Sequence, residues 1–336
     1  MNDFFKLSDV QKQMVITQTA NKIGLPVQAI EKDLWVTIIL QMIFTLPFAD
    51  KLIFKGGTSL SKVWNVIQRF SEDIDLAIDR RFFNYEGDLT KKQIKKLRKE
   101  ASLFIRDSVC QSLQSILSTY NLADWCKVSA ESDGEGDYTY PEPRKIHIHY
   151  KSLFNEYTTY LNPEIILEIS SRSLIEPILV AKVKSLISSN FSINTDIINS
   201  GIATAVPQKT FLEKAFLLHE LFSTKGGIIA DRKSRHLYDL EKMMDREFAQ
   251  KAITDDELWN TIQHHRRIFT SVKDVDYTPD IRDHICLIPP KTIIEEWQKD
   301  YQTMQNAMIY GDSLPFDDLI ERMNALENRF HNRENI

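Results

Sequence analysis

Two glycines and two aspartates, set close together in apolar surroundings, constrain the fold of this chain more than any other feature. The stretch LIFKGGTSLSKVWNVIQRFSEDIDLAI, residues 52–78, interrupts one apolar run at Gly56 and Gly57 and places Asp73 and Asp75 inside another. Alternate side chains of a β-strand share a face, so both carboxylates would point the same way, roughly 7 Å apart. The pattern predicts a strand, a glycine turn with a helix, and a second strand that carries paired acids.

The paired aspartates predict a site for a divalent cation. Two unpaired carboxylates at this spacing repel, and one of them would take up a proton near neutral pH. Mg²⁺ removes the conflict, because one or two carboxylates hold it while phosphates and waters complete its octahedron. The alternative is an exposed strand edge, since D-x-D is a common pattern. A third carboxylate is available at Glu168 in EIILEIS, with Glu164 and Glu176 as alternatives that have less apolar flanks.

The glycine segment predicts a turn that binds phosphate. Glycine lets the backbone approach a ligand closely, and the start of a helix offers unpaired N–H groups to an anion. We expect Thr58 or Ser59 near the N-cap of this helix. Its apolar stripe would consist of Leu60, Val63, Trp64 and Ile67. Neither the P-loop spacing nor G-x-G-x-x-G is present.

The rest of the chain divides into an α/β half and a helical half. The first fifty residues contain two segments with apolar positions three and four apart, which is typical of helices. Four short segments rich in Ile and Leu, LIFK, DIDLAI, KIHIHY and EIILEIS, have the strand signature. A helix, TKKQIKKLRKEASLFIRDSVCQSLQSIL, is inserted between the second and third of these strands. From about residue 176 onward we expect nearly everything to be helical.

Composition excludes several classes of protein. A chain of 336 residues with 43% hydrophobic content can bury a full core. A net charge of -5 gives no general attraction to nucleic acid or anionic membrane, so a polyanionic partner would need a local patch. Cys110, Cys126 and Cys286 lack the spacing of a disulfide framework or a zinc site. Without a signal-like start or an apolar run of about eighteen residues, we expect a soluble cytoplasmic protein with no membrane contact.

These motifs, taken in order, resemble a known superfamily. G-G-T-S, then S-E-D-I-D-L, then an acid in a hydrophobic strand resembles the DNA polymerase β type of nucleotidyltransferase. Within that superfamily, FKGGTSLSK and RFSEDIDL are similar to the AbiEii/AbiGii toxin family of bacterial toxin-antitoxin and abortive-infection systems, to which the MenT toxins belong. EKDLWVTIIL, FLEKAFLLHE and SRHLYDL extend the resemblance over about residues 20–245, and EEWQKDYQTM continues it more weakly.

The resemblance implies a fold and a set of site residues. The expected fold class is α+β, a mixed sheet with flanking helices followed by an all-helical C-terminal region. Residues 1–185 would form the nucleotidyltransferase core with the inserted basic helix, and residues 186–336 a helical domain that completes the active site. The implied catalytic residues are Asp73, Asp75, Glu168, Lys214 and Asp239, of which the first three would also be the metal ligands. The predicted nucleotide-binding residues are Gly56, Gly57, Thr58, Ser59, Lys62, Arg69 and Ser71.

The implied activity is transfer of a nucleoside monophosphate from an NTP to an RNA acceptor, with the 3′ end of tRNA as the first candidate. Two Mg²⁺ ions would bind the acids, Glu168 would accept the hydroxyl proton, and Lys214 would neutralise the leaving pyrophosphate. Asp239 would orient Lys214 or contact the base or ribose, or else form a salt bridge between helices. A cognate antitoxin protein is the expected partner. The alternatives are nucleotidylation of a protein or small molecule, and an NTP-binding module with little transfer activity.

Several charged residues keep two interpretations. The basic run at residues 91–99 could bind an RNA backbone or be a solvated helix face. Lys55, Lys62 and Arg69 could contact phosphate or form a structural pair with Glu72. His236 stands where many members of the family have an acid, and we assign it only a hydrogen bond to a neighbouring residue. His147 and His149 alternate along a predicted strand, which favours a strand-surface pair over a metal site.

Overall fold

The chain forms two compact units. The computed structural model describes residues 3–70, 73–154, 161–197, 201–224 and 230–332. Unit 1 comprises Met1–Val63 and Phe70–Thr204, and unit 2 comprises Trp64–Arg69 and Ala205–Ile336. The predicted boundary after residue 185 therefore falls inside unit 1, and a short segment ahead of the paired aspartates belongs to unit 2.

Two helices open unit 1 and build much of its core. Helix α1 spans Asp9–Ile23 and α2 spans Val27–Ile43, as their apolar spacing predicts. Ser8 caps α1 through a reciprocal capping box with Gln11, which satisfies N–H groups that the first turn leaves free. Helix α2 is buried along nearly its whole length, so it forms the central layer against the sheet.

Unit 1 contains a mixed β-sheet, as predicted. Its strands are β1 Leu52–Lys55, β2 Asp73–Ile78, β3 Cys126–Ala130, β4 Arg144–Tyr150, β5 Glu164–Ser170, β6 Ile178–Ala181 and β7 Ile202–Ala205. Among the described residues they follow the spatial order β3-β4-β5-β2-β1-β7-β6. Strand β2 pairs antiparallel with β1 and parallel with β5, and β4 pairs antiparallel with β5. The strand with the paired aspartates is therefore central.

The two faces of this sheet differ in polarity. Along β2, β4 and β5 the burial alternates, as expected for strands with one face in a core. The buried apolar residues pack with those of α2 in one cluster, and in the strands they include Ile74, Leu76, Ile146, Ile148, Ile165 and Leu167. The opposite face carries the acids of β2 and β5 and Lys145 of β4, whereas Arg144 of β4 is buried on the core side.

Two expectations about the secondary structure of unit 1 are wrong. Strands β6 and β7 lie beyond residue 176, where a nearly all-helical chain was expected. Each has only four residues, and no glycine turn follows it as Gly56 and Gly57 follow the equally short β1. Helix α3 spans Gly56–Lys62 and stops before the predicted stripe is complete. Asn65 adopts a positive φ of 50°, which ends the helical path, and the indole of Trp64 donates to the carbonyl of Ala205 within unit 2.

The remaining helices of unit 1 include the predicted insertion. Helix α4 spans Lys91–Phe104 and continues through a π-helical segment, Ile105–Val109, into α5, Cys110–Thr119. Helix α6 spans Leu186–Asn190. Short 3₁₀ segments lie at Asp3–Lys6, Ala49–Lys51, Arg80–Phe83 and Gly136–Tyr138.

Unit 2 is helical in its described part. Its helices are α7 Pro207–Ser223, α8 Arg235–Met243, α9 Glu247–Thr254, α10 Asp256–Phe269, α11 Ile294–Ala307 and α12 Phe316–His331, with a 3₁₀ segment at Pro279–His284. Aromatic contacts hold its core, such as Phe216 against Trp259 with ring centroids 4.5 Å apart. None of the helices in the described ranges has the length and apolar character needed to cross a membrane.

Candidate active site

Strands β2 and β5 bring two of the predicted acids side by side. In their parallel register Asp75 lies opposite Glu168, and Asp73 lies opposite Ile166. Neighbouring strands are about 4.8 Å apart, so the side chains of Asp75 and Glu168 leave the sheet next to each other on the same face. Asp73 shares that face because it is two residues from Asp75.

Gly56 makes room for the carboxylate of Asp75. Its φ of +77° is strained for any residue with a side chain, and a Cβ at this position would lie only 2.1 Å from Asp75 Oδ2. Only glycine satisfies both conditions. Gly56, the first residue of the predicted phosphate turn, therefore has a second role. Because it has no side chain, it leaves space for the Asp75 carboxylate of the neighbouring strand.

The two hydroxyls that follow the glycines donate within unit 1, that of Thr58 to the sheet and that of Ser59 within α3. Thr58 Oγ1 donates to the backbone carbonyl of Asp73 at 2.5 Å, and Ser59 Oγ donates to the carbonyl of Gly56 at 2.8 Å. Both residues are buried. Since these protons are already donated within unit 1, binding of phosphate by the two hydroxyls stays a prediction, as does binding by the backbone at Gly57.

Lys145 is a charged neighbour of the acids that the sequence reasoning missed. It lies opposite Glu168 in the register of β4 and β5, and its Nζ is 3.1 Å from Glu168 Oε1. Burial alone would lower the pKa of Lys145, but the nearby charges of Glu168, Asp73 and Glu131 outweigh it and raise that pKa above its usual value. Lys145 is therefore a cation among the acids. The alternation in KIHIHY places it on the face of His147 and His149, and that signal was available in the sequence.

The donor set suits Mg²⁺, although the three acids are not gathered around one point. Carboxylate oxygens are the ligands this ion prefers, and the seat at Gly56 positions Asp75 close to the backbone turn. Over the described ranges, no three His, Cys, Asp or Glu side chains form a cluster ready to hold a metal. Glu168 instead contacts Lys145. Ligation by Asp73, Asp75 and Glu168 together would need the three carboxylates to converge, and it stays a prediction.

The other acids considered for the site have partners elsewhere in unit 1. Glu164 Oε1 lies 2.7 Å from His147 Nδ1 and 3.4 Å from His149 Nε2, which makes the histidines part of a strand-surface group. Glu176 forms an ion pair with Arg81 at 2.8 Å. Glu168 is therefore the acid that the register places beside Asp75.

Among the predicted nucleotide-binding residues, Lys62 can be judged by its contacts and Ser71 cannot. Lys62 pairs with Asp33 at 2.5 Å, and both side chains are mostly buried. The second carboxylate oxygen of Asp33 accepts the backbone N–H of Leu186, so the pair ties α2, α3 and α6 together. These contacts match the structural interpretation of Lys62, with Asp33 as the partner. Ser71 and Glu72 lie outside the described residues.

Arg69, Lys214 and Asp239 meet within unit 2. Arg69 donates to both carboxylate oxygens of Asp239, each at 2.7 Å, and Lys214 Nζ lies 2.8 Å from Asp239 Oδ2. The Asp239 side chain is 0% exposed. Burial alone would raise the pKa of Asp239, but Arg69 and Lys214 outweigh it and lower that pKa to about 2. The salt-bridge interpretation of Asp239 describes these contacts, while its catalytic role and that of Lys214 stay predictions.

His236 extends the same cluster as a neutral group. Its Nδ1 lies 3.4 Å from Lys214 Nζ. Burial, reinforced by the charges of Lys214 and Arg235, holds the pKa of His236 well below its usual value. Burial also lowers the pKa of Lys214, and Asp239 offsets part of that effect. An uncharged imidazole can accept a hydrogen bond from the lysine without adding a third positive charge.

Comparison with known proteins defines the class of this fold. Among the solved structures that match is MenT4, a nucleotidyltransferase toxin from Mycobacterium tuberculosis H37Rv, with a TM-score of 0.52 and 15% identity over 96% of both chains. At that identity the likeness concerns the fold alone. No curated protein matches the chain.

A match to a family model identifies the protein more specifically than the likeness of fold does. The model described as nucleotidyl transferase AbiEii toxin, type IV toxin-antitoxin system, matches residues 38–322, and the chain belongs to this family. The predicted family, fold class and enzyme class are thereby confirmed. Membership implies an NTP substrate, a divalent metal and a cognate antitoxin.

Proposed function

We propose that this protein is a Mg²⁺-dependent toxin enzyme that transfers a nucleoside monophosphate from an NTP to RNA, with the 3′ end of tRNA as the first candidate acceptor. The observation that supports it most is the register of β2 and β5. It sets Asp75 beside Glu168, with Asp73 on the same face, in a chain of the AbiEii family.

We expect Asp73, Asp75 and Glu168 to have different roles that follow from their positions. Asp73, Asp75 and Glu168 would hold up to two Mg²⁺ ions. When bound, such ions neutralise phosphate charge and lower the pKa of a coordinated hydroxyl. Asp75 is fixed against the turn at Gly56, so it would orient the phosphates there. Glu168 has a partly exposed side chain and would accept the proton of the acceptor hydroxyl.

Lys145 would act as the counterion of the acids before the substrate arrives. Closely placed carboxylates without a cation repel one another, and Lys145 compensates part of that charge through Glu168. Once Glu168 is taken up by a divalent ion, the ammonium of Lys145 would remain on the same sheet face. It would then be free to contact a phosphate of either substrate.

RNA as the acceptor is supported by charge. Helix α4 exposes several lysines on a chain whose net charge is -5, and a local basic patch is what an acidic protein needs to bind a phosphate backbone. The 3′ end of tRNA in particular is proposed from the resemblance to the family.

Label transfer tests the function. The protein is incubated with Mg²⁺, total RNA and each α-³²P-labelled NTP in turn, and RNA and protein are separated on gels. We expect label in RNA of tRNA size, at the 3′ end, for the wild type and for Asp124→Asn, a control at an exposed acid. We expect none for Asp73→Asn. Label on protein bands would refute RNA as the acceptor, and equal labelling by Asp73→Asn would refute the assigned site.

A further inference from the structure

Helix α4 presents a face of lysines to solvent. Its apolar side is buried through Leu97 and Ala101, and Thr90 closes its first turn through a capping box with Gln93. The exposed lysines of this helix, called here the lysine face, are Lys91, Lys92, Lys95, Lys96 and Lys99. The helix is thus fixed by its own cap and core contacts, and the lysines are not needed to hold it in place.

The positive charge of the lysine face is largely uncompensated. In the described part of the chain, Lys91, Lys92 and Lys96 have no carboxylate within salt-bridge distance. Lys99 lies over the ring of Tyr140, 5.5 Å from its centroid. Exposed cations elsewhere in unit 1 are often paired, as Arg81 is with Glu176. Several positive charges therefore stand together on a protein that is acidic overall.

The composition of the face favours phosphates over a protein surface. Protein interfaces bury a centre rich in aromatic residues, Met and Arg, and are depleted in Lys. None of the lysine-face positions is apolar. Lysine is a compact charge on a flexible stem, and residues four apart repeat along one side of the helix about every 6 Å. Such rows of mobile ammonium groups can follow a phosphodiester backbone without reading its sequence.

We propose that the lysine face of α4 is the surface on which the phosphodiester backbone of the acceptor nucleic acid docks. Naming that nucleic acid as the acceptor rests on the proposed function, whereas docking itself does not. Helix α4 contacts the Arg80–Phe83 turn that directly follows β2. Ser102 of α4 accepts a hydrogen bond from Arg144, whose side chain lies on the sheet face opposite Lys145 and Glu168. A strand docked on α4 would therefore have to pass around the sheet to reach the acids.

A binding titration without NTP or metal tests the docking surface. The probe is a fluorescent RNA hairpin with a single-stranded 3′ overhang, titrated at several salt concentrations. The variant is Lys91→Gln/Lys92→Gln/Lys96→Gln, which removes three charges and keeps good helix formers. The matched control is Lys273→Gln/Lys291→Gln/Lys299→Gln, which removes the same charge from exposed positions of unit 2.

We expect RNA binding to weaken when the α4 lysines are replaced and to stay unchanged when the unit 2 lysines are replaced. The α4 variant should bind at least about tenfold more weakly at 0.1 M salt, and the slope of log K against log salt should become shallower by about 2 to 3, because about 0.7 to 0.9 ions are released per phosphate contact. The control should change neither value appreciably. Equal losses in both variants would show a general charge effect and would overturn the proposal, as would unchanged RNA binding.

A second probe separates nucleic acid from an acidic protein. Poly-L-glutamate of matched charge is titrated under the same conditions. We expect it to bind the wild type more weakly than the RNA does, and tighter binding that the α4 variant loses would overturn the proposal in favour of an acidic protein partner. If RNA docks on α4 but receives no label, the docking surface stands and the proposed function fails, so the two failures are distinguishable.

Discussion

The acid group of unit 1 and the ion cluster of unit 2 use the same kinds of side chain in opposite ways. In unit 1, three carboxylates, Asp73, Asp75 and Glu168, lie on one partly exposed sheet face with Lys145 as a close cation. In unit 2, the single carboxylate of Asp239 is fully buried between Arg69 and Lys214.

This difference separates charged residues that stabilise the fold from charged residues that can bind a ligand. A buried carboxylate that accepts hydrogen bonds from two cations has its charge compensated. Removing it would leave both cations buried without a counterion. Several acids that face one lysine keep an excess of negative charge, which costs stability unless another cation arrives. We therefore expect substitutions in the first group to affect catalysis and those in the second to affect stability.

Asp75→Asn gives the largest expected effect and tests the catalytic side of the comparison. Loss of a metal ligand removes several kcal/mol of transition-state stabilisation, so nucleotidyl transfer should fall about 10³-fold. The free energy of unfolding without metal should stay the same or rise, because repulsion among the acids is relieved. Rates from label transfer and unfolding curves in urea measure both. A variant that unfolds readily, or that keeps its rate, would break the comparison.

Asp239→Ala tests the stability side. Leaving Arg69 and Lys214 buried without their carboxylate should lower the free energy of unfolding by about 3 to 5 kcal/mol. The matched control is Asp245→Ala, since Asp245 also pairs with two arginines, Arg322 and Arg329, but its side chain is 55% exposed. That change should cost at most about 1 kcal/mol. Equal costs in urea denaturation would show that burial does not distinguish the two clusters.

The pH dependence of the free energy of unfolding tests whether Asp239 contributes to stability through its charge. The pKa of Asp239 falls from 3.8 to about 2 on folding, which corresponds to about 2 kcal/mol. Because the folded pKa is the lower one, this stability is present above pH 4 and is lost as the pH falls towards 2. The stability difference between the wild type and Asp239→Asn should shrink by about 1 kcal/mol from pH 5 to pH 3. A constant difference would contradict the assignment.

Lys145→Met gives the smallest expected effect and tests the proposed exchange of counterions. Removing the ammonium that holds Glu168 should let Mn²⁺ or Mg²⁺ bind about two- to fivefold more tightly, since a partly exposed pair contributes up to about 1 kcal/mol. Isothermal titration measures the affinity. Lys127→Met, at an exposed lysine of β3, is the control and should change nothing. Weaker metal binding by Lys145→Met would mean that the lysine supports the ion instead of competing with it.

The sequence predicted those features that depend on neighbours along the chain. The alternation of DIDLAI and EIILEIS predicts strands β2 and β5 and the faces of their acids, and the apolar spacing predicts α1 and α2. Strands β6 and β7 were not predicted because each has only four residues and, unlike the equally short β1, is not followed by a glycine turn. The contact of Lys145 with Glu168 depends on the register of two strands, and Arg69 meets Asp239 across 170 residues. Such pairings follow from the tertiary fold, and no local pattern encodes them.

A crystal soaked with Mn²⁺ and a non-reactive α,β-methylene NTP would test the central claim most directly. We expect an anomalous manganese peak within about 2.5 Å of carboxylate oxygens of Asp73 and Asp75, with Glu168 turned away from Lys145 and the triphosphate against the turn at Gly56. A peak at other residues, or a nucleotide bound away from β2, would contradict it.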